Sequence, residues 1–141
     1  MKHTVFSLAI LLLALCGCSS DDGLSSVKKS VVGSWRLVER IDGFDPSIQS
    51  MPVETNSIME FRSDGIVVTI VDGEQISELH YWLKPTNRGD DSYYLCYDPD
   101  IDYSQSTGGI TLKVEGDKLT IHSYGCFAST ICIYHRLKVC M

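Results

Sequence analysis

The sequence lacks an apolar run long enough to cross a bilayer as a helix. Its longest, nearly unbroken from Val5 to Leu15, has eleven residues, whereas a span needs about 20. Positive charge is also scarce. Lys and Arg number 12 against 18 Asp and Glu, a net −6. That excludes the broadly basic surface needed to neutralise nucleic-acid phosphates. There is no CxxC pair, so neither a thioredoxin-like redox site nor a zinc ribbon is indicated. GxSxG, HExxH and phosphate-cradling glycine loops are missing, and with them three common catalytic frameworks. No repeat is visible, and 141 residues suit one domain. The chain reads as a non-enzyme, with no cofactor and no metal.

What is present begins with an address. Met1-Lys2-His3 gives a positive start to the apolar run, the order of a secretory signal. Leu15-Cys16-Gly17-Cys18 follows. It resembles the bacterial lipoprotein lipobox, an aliphatic residue and two small residues before the modified Cys. That resemblance implies cleavage after Gly17 and a diacylglyceryl group on the Cys18 thiol. The expected organisation is a lipoprotein signal peptide over 1–17, a lipidated flexible tether over 18–30 and a folded domain over 31–141. Two or more acyl chains suffice for stable attachment, so the expected location is the outer membrane, on its periplasmic face or the cell surface. Asp21-Asp22, just after the Cys, resembles the surface-export signal of Bacteroidota lipoproteins.

Cys96, Cys126, Cys132 and Cys140 remain. An even count in an exported domain favours two disulfides, with three possible connectivities. Cys126–Cys132 across a turn, with Cys96–Cys140, is slightly preferred. The rival is a free Cys140 beside the chain end.

From Gly33 onward, β-branched and aromatic residues alternate with turn residues. Strands are expected over 34–40, 57–62, 66–71, 75–83, 92–97, 110–115, 119–123 and 130–138, with a helical turn over 27–32 closing one end. Ile110, Leu112 and Val114 should share the buried face with Leu119, Ile121, Ile131, Ile133 and Leu137. The expected fold class is all-β, an eight-stranded antiparallel up-and-down barrel. A two-sheet sandwich would show similar patterning.

Gly33-x-Trp35 in the first strand, with Tyr134-His135-Arg136-Leu137-Lys138 in the last, resembles the lipocalin-like (calycin) barrels. The likeness is to the small lipocalin-like lipoproteins of Bacteroidota and covers about Val31 to Lys138. It implies that Trp35 packs at the closed end against Arg136. Alternation alone turns Arg136 away from Ile133 and Leu137.

Candidate chemistry is thin. His122 and His135 lie on neighbouring expected strands, the minimum for a metal or acid–base pair. Asp98, Asp100 and Asp102 alternate like the start of a calcium loop, but Tyr103 and Gly109 stand where Gly and Glu are needed. Tyr81, Tyr93 and Tyr97 are the candidate ligand-binding aromatics, on faces opposite Trp82 and Tyr94. The expected function is a lipid-anchored envelope binding protein for a small apolar or amphipathic ligand. The alternative is a protein-interaction or inhibitor module with a filled barrel, using the loops over 41–55 and 98–108.

Overall fold

The computed structural model describes residues 22–43, 50–101, 107–126 and 128–138. Cys18, the signal segment, Tyr103 and Cys140 lie outside them. The described chain forms one helix and ten strands in a single antiparallel sheet, which excludes the sandwich.

The helix, α1 (Asp22–Val31), contains most of the helical turn expected over 27–32 and extends it back into the segment expected as a flexible tether. Ser, Asp and Gly are poor helix formers, so local propensity hides its start. Its support is tertiary: Val31 is fully buried, and Val27 packs against the same core. Lys28 and Lys29 in the last turn suit the negative end of the helix dipole.

The strands are β1 (Gly33–Asp42), β2 (Met51–Pro52), β3 (Ser57–Phe61), β4 (Ile66–Val71), β5 (Glu74–His80), β6 (Trp82–Pro85), β7 (Tyr93–Cys96), β8 (Gly109–Glu115), β9 (Lys118–Tyr124) and β10 (Ser129–Arg136). Hairpin chemistry sets several of the joints. Asp72 and Gly73 both have positive φ, 51° and 86°, the requirement of a tight two-residue hairpin. The count differs from the eight strands expected at two places. The fourth expected strand breaks at Tyr81 into β5 and β6, and the long loop after β1 contributes the short β2.

Strand order is β5-β4-β3-β1-β10-β9-β8-β7-β6, with β2 beside β1. The two edge strands are consecutive in the chain, separated only by Tyr81. The chain thus joins both ends of the sheet, and the sheet curls into a barrel-like shape. One face encloses Trp35, Phe61, Leu83, Leu95, Leu112 and Leu119, each at most 9% exposed. α1 packs near β6 and β8 and closes one end, which we call the closed end.

Register corrects one expectation. Ile131 and Ile133 are not in the main core; Tyr134 is buried and Cys132 packs against it. Opposite residues in an antiparallel pair share a face, and Trp35 pairs with Arg136 while Leu37 pairs with Tyr134. Arg136 therefore faces the same side as Tyr134.

Gly33 shows how tightly this end is assembled. Its φ is +137°, and an added β-carbon would sit 2.7 Å from Arg136 Nη1. Gly33→Ala is expected to cost about 1–3 kcal/mol, read as a lower urea midpoint with unchanged slope.

Candidate functional site

Two regions carry the sequence candidates. At the closed end, the Arg136 guanidinium lies 4.0 Å from the centroid of the Trp35 ring. It donates to the carbonyls of Val32 at 2.9 Å and Ser30 at 2.6 Å, and sits 3.6 Å from Asp117. Trp35 Nε1 donates to the Val31 carbonyl at 2.8 Å. The two side chains together hold the end of α1 onto the sheet. This is a structural latch with the helix carbonyls as its partners.

The opposite end is built differently, and the register shows how. Leu37, Tyr134, Leu119 and Val114 align across β1, β10, β9 and β8. The next aligned row on this face is Arg40, Cys132, Ile121, Leu112 and Tyr93. Beyond it come Asp42, Thr130, Ser123 and Ile110. The β-bulge between Leu37 and Glu39 makes this possible: it restores Arg40 and Asp42 to the face of Leu37. The enclosed face therefore changes from apolar near α1 to polar at the far rim.

The rim has defined electrostatics. Arg40 Nε donates to both Asp42 carboxylate oxygens, at 3.0 and 2.9 Å, and Thr130 Oγ1 donates to Asp42 Oδ1 at 2.9 Å. Those bonds, from Arg40 first and Thr130 second, hold the Asp42 pKa below its ordinary value. Cys132 lies one row inward and Tyr134 in the row beyond it. Burial raises the pKa of both, and Tyr97 is near enough to add to the rise at Tyr134.

The Tyr134 shift has a consequence at high pH. Its folded pKa lies above the ordinary 10.0, so the unfolded chain ionises first as pH rises. Stability is full below about pH 10 and is lost above it. Tyr81, also raised by burial, acts in the same direction. The thermal midpoint is expected to hold to about pH 9 and to fall above about pH 10, with part of the fall removed in Tyr134→Phe.

The three tyrosine candidates separate. Tyr93 and Tyr97 pack against the core on the enclosed face, with Tyr97 near Tyr134. Tyr81 does not join them. Its ring meets Phe61 edge-on at 5.1 Å, and its hydroxyl donates to the Arg62 carbonyl at 3.2 Å, beside the β3–β4 turn. It is a packing residue at the break in the sheet. Trp82, on the other face, is 38% exposed. Sequence reasoning missed Arg40, Cys132 and Tyr134 as lining residues. The signal was the parity of Arg136, since turning it inward turns Tyr134 and Cys132 inward too.

The histidine pair is not assembled. His122 pairs with Ile131 and His135 with Lys118. Four residues along β10 separate those rows, about 13 Å. His122 Nε2 instead meets Ser129 Oγ at 2.8 Å, and burial first, then Arg88, lowers its pKa. The Asp98 carboxylate accepts from the amide of Asp100 at 2.9 Å, a local turn; Asp102 lies outside the described residues. Among the described residues no three His, Cys, Asp or Glu side chains converge as metal ligands.

Among the described residues no disulfide is formed, and Cys140 lies outside them. Cys96, Cys126 and Cys132 are free thiols. Tyr124 pairs with Ser129, so Cys126 sits in the β9–β10 turn, and Cys132 lies three residues further along β10 than Ser129. Three residues of strand span about 10 Å, beyond the reach of a disulfide. Cys96 is fully buried.

Comparison with known proteins found no family model, no curated protein and no solved structure that matches this chain.

Proposed function

We propose that this chain is a lipid-anchored envelope protein with a lipocalin-like barrel that holds a small amphipathic ligand at its polar rim. The single observation that carries the ligand reading is the gradient on the enclosed face. Leu119 and Leu112 are almost fully buried, Tyr93, Tyr97 and Ile110 are half-buried above them, and the rim ends in Arg40, Asp42 and Thr130. Ligand pockets combine apolar walls with a few oriented polar groups. An apolar body would lie against the tyrosines, with its polar head among the rim groups.

The eight-stranded reading treats β5 and β6 as halves of one bent strand shared by both ends of the sheet, and β2 as an extra pairing in a loop. The Trp35–Arg136 stack under α1 supports the lipocalin-like assignment, as do Gly33 and Trp35 at the start of β1. The lipobox-like Leu15–Cys18 supports signal cleavage, lipidation of Cys18 and outer-membrane attachment. No described helix is long and apolar enough to cross a membrane. We assign no catalytic role and no cofactor.

A second reading has one observation of its own. β5 is exposed on both faces, with Ile76 at 61% and Leu79 at 47%. Exposed edge strands accept partner strands, as a protein-interaction module requires.

The test is a titration of the full chain with a neutral, polarity-sensitive naphthalene probe. Saturable binding is expected, weakened about tenfold by Tyr97→Ala, which removes roughly 1.4 kcal/mol of contact, and unchanged by Trp82→Ala on the outer face. No saturable binding, or equal losses in both variants, would contradict the ligand reading and favour the interaction module.

A further inference from the structure

The closed end also carries a charge pattern that the binding reading does not use. Lys28 and Lys29 lie exposed in the last turn of α1. The Arg136 guanidinium reaches the carbonyls of Ser30 and Val32 immediately beyond them. Arg136 lines a shallow open depression of about 360 Å³ together with Glu115, Asp117, Lys118, His135 and Lys138. Lys113 stands next to it, 3.2 Å from Glu115.

Each acid here is outnumbered. Glu115 faces both Lys113 and Lys118, at 3.2 and 3.3 Å. Asp117 faces both Arg136 and Lys138, at 3.6 and 3.7 Å. Six of the 12 lysines and arginines thus gather on this side, against three of the 18 acids, Asp22 at the start of α1, Glu115 and Asp117. Across the same end, at the β3–β4 turn, Arg62 is met by Glu60 and Glu78, with Asp64 in the turn. The excess of positive charge is therefore one-sided, in a chain whose total is negative.

The chain geometry says what this side faces. Cys18 precedes Asp22, the first residue of α1, by four positions. Such a segment reaches at most about 14 Å even when extended. An acyl group on Cys18 would hold α1 against the bilayer, with no tether long enough to lift the domain away. We propose that the α1–β8–β9–β10 side of the closed end docks on anionic phospholipid headgroups. Lys28, Lys29, Lys118 and Lys138 make the contact, and the polar rim points away from the membrane. This rests on the reading of Cys18 as the lipid anchor. Basic residues near an anionic bilayer are attracted within a Debye length of its surface, so the contact is salt-sensitive.

The experiment uses the full chain, expressed with its own signal, purified in detergent and incorporated into vesicles. One set is phosphatidylcholine alone; the other carries about 30 mol% phosphatidylglycerol. A membrane-impermeant amine-acylating reagent then labels lysines, and peptide mapping reports each rate. The expected result is labelling of Lys28, Lys29, Lys118 and Lys138 slowed about threefold or more on anionic vesicles, reversed by about 1 M salt. Lys84, whose ammonium donates to the Pro99 and Ile101 carbonyls and not to the closed-end acids, should be unchanged. The double variant Lys118→Glu/Lys138→Glu should lose the protection at Lys28 and Lys29 while its far-ultraviolet circular dichroism stays the same. Equal labelling on both vesicle types overturns the proposal. So does protection of Lys84 together with the others, which would mean a barrel lying on its side. The intact mass at Cys18 judges the anchor separately. If Cys18 proves unmodified, flotation of the same chain decides: low-salt flotation with anionic vesicles alone sustains the docking surface, and none refutes it.

Discussion

Replacing Trp35 by Ala is expected to lower the unfolding free energy by about 3–5 kcal/mol, the usual cost of emptying a large aromatic site. Trp35 is fully buried, so its packing has no replacement from solvent. Three interactions meet at its ring: the core of the enclosed face, the guanidinium of Arg136 at 4.0 Å and the Val31 carbonyl at 2.8 Å. Alanine removes all three, including the bond that ties the last residue of α1 to the sheet. Domains of this size hold only about 5–15 kcal/mol in total, so the loss should be visible as a large drop in urea midpoint. Trp35→Phe separates the contributions. It keeps most of the packing but leaves the Val31 carbonyl without its indole partner. A loss of about 1–3 kcal/mol is expected for an unpaired buried polar group. Equal midpoints for Trp35→Ala and the parent would show that α1 and the sheet do not depend on this ring.

Replacing Arg136 by Met should cost about 2–4 kcal/mol. The methionine fills similar space but supplies no donors. The Ser30 and Val32 carbonyls lose bonds of 2.6 and 2.9 Å. Hydrogen bonds to charged groups contribute about 1.5–3 kcal/mol, and the stack on Trp35 roughly 0.5–2 kcal/mol more. The ion pair with Asp117 adds little, since Asp117 is 61% exposed at its side chain and such pairs are screened. The distinctive outcome is local. Amide exchange in α1 should accelerate well before the strands open, because Arg136 joins the helix end to β10. Arg136→Lys should recover little, since an ammonium cannot span both carbonyls and the ring as the planar guanidinium does. If α1 and the strands lose protection together, the latch is not a separable element.

The parts legible in the sequence were those decided by short-range chemistry. Alternation in Ile110–Glu115 named its buried face, because β8 has one enclosed face and one wetter face. Leu119 and Ile121 followed for the same reason. Asp72-Gly73 marked a hairpin that its two positive φ angles require. What was not legible depends on long-range pairing. The break at Tyr81 places β5 and β6 at opposite edges of the sheet, and nothing local in Gln75–Leu83 announces that. The face of β10 was misread because Ile131, Ile133 and Leu137 outweigh Cys132 and Arg136 in any hydropathy count. Pairing with β1 decides it, with Tyr134 as the apolar residue of the inward face. The last turn of α1 was legible and its first part was not, hidden by its serines and glycine. The thiols show the limit of counting cysteines: an even number permits disulfides, but the hairpin register keeps Cys126 and Cys132 apart.

The candidate site was half legible. Tyr93 and Tyr97 follow from alternation along β7. Arg40 and Asp42 do not, since the bulge after Leu37 changes their face, and a bulge is a property of the paired strands.

The most direct test of the binding account is native mass spectrometry of the full chain extracted gently from its own cell envelope. The account predicts a retained mass of a few hundred daltons per chain, in addition to any modification at Cys18, lost on mild collisional activation and reduced in occupancy by Tyr97→Ala. A chain that carries no such mass in either form would contradict it.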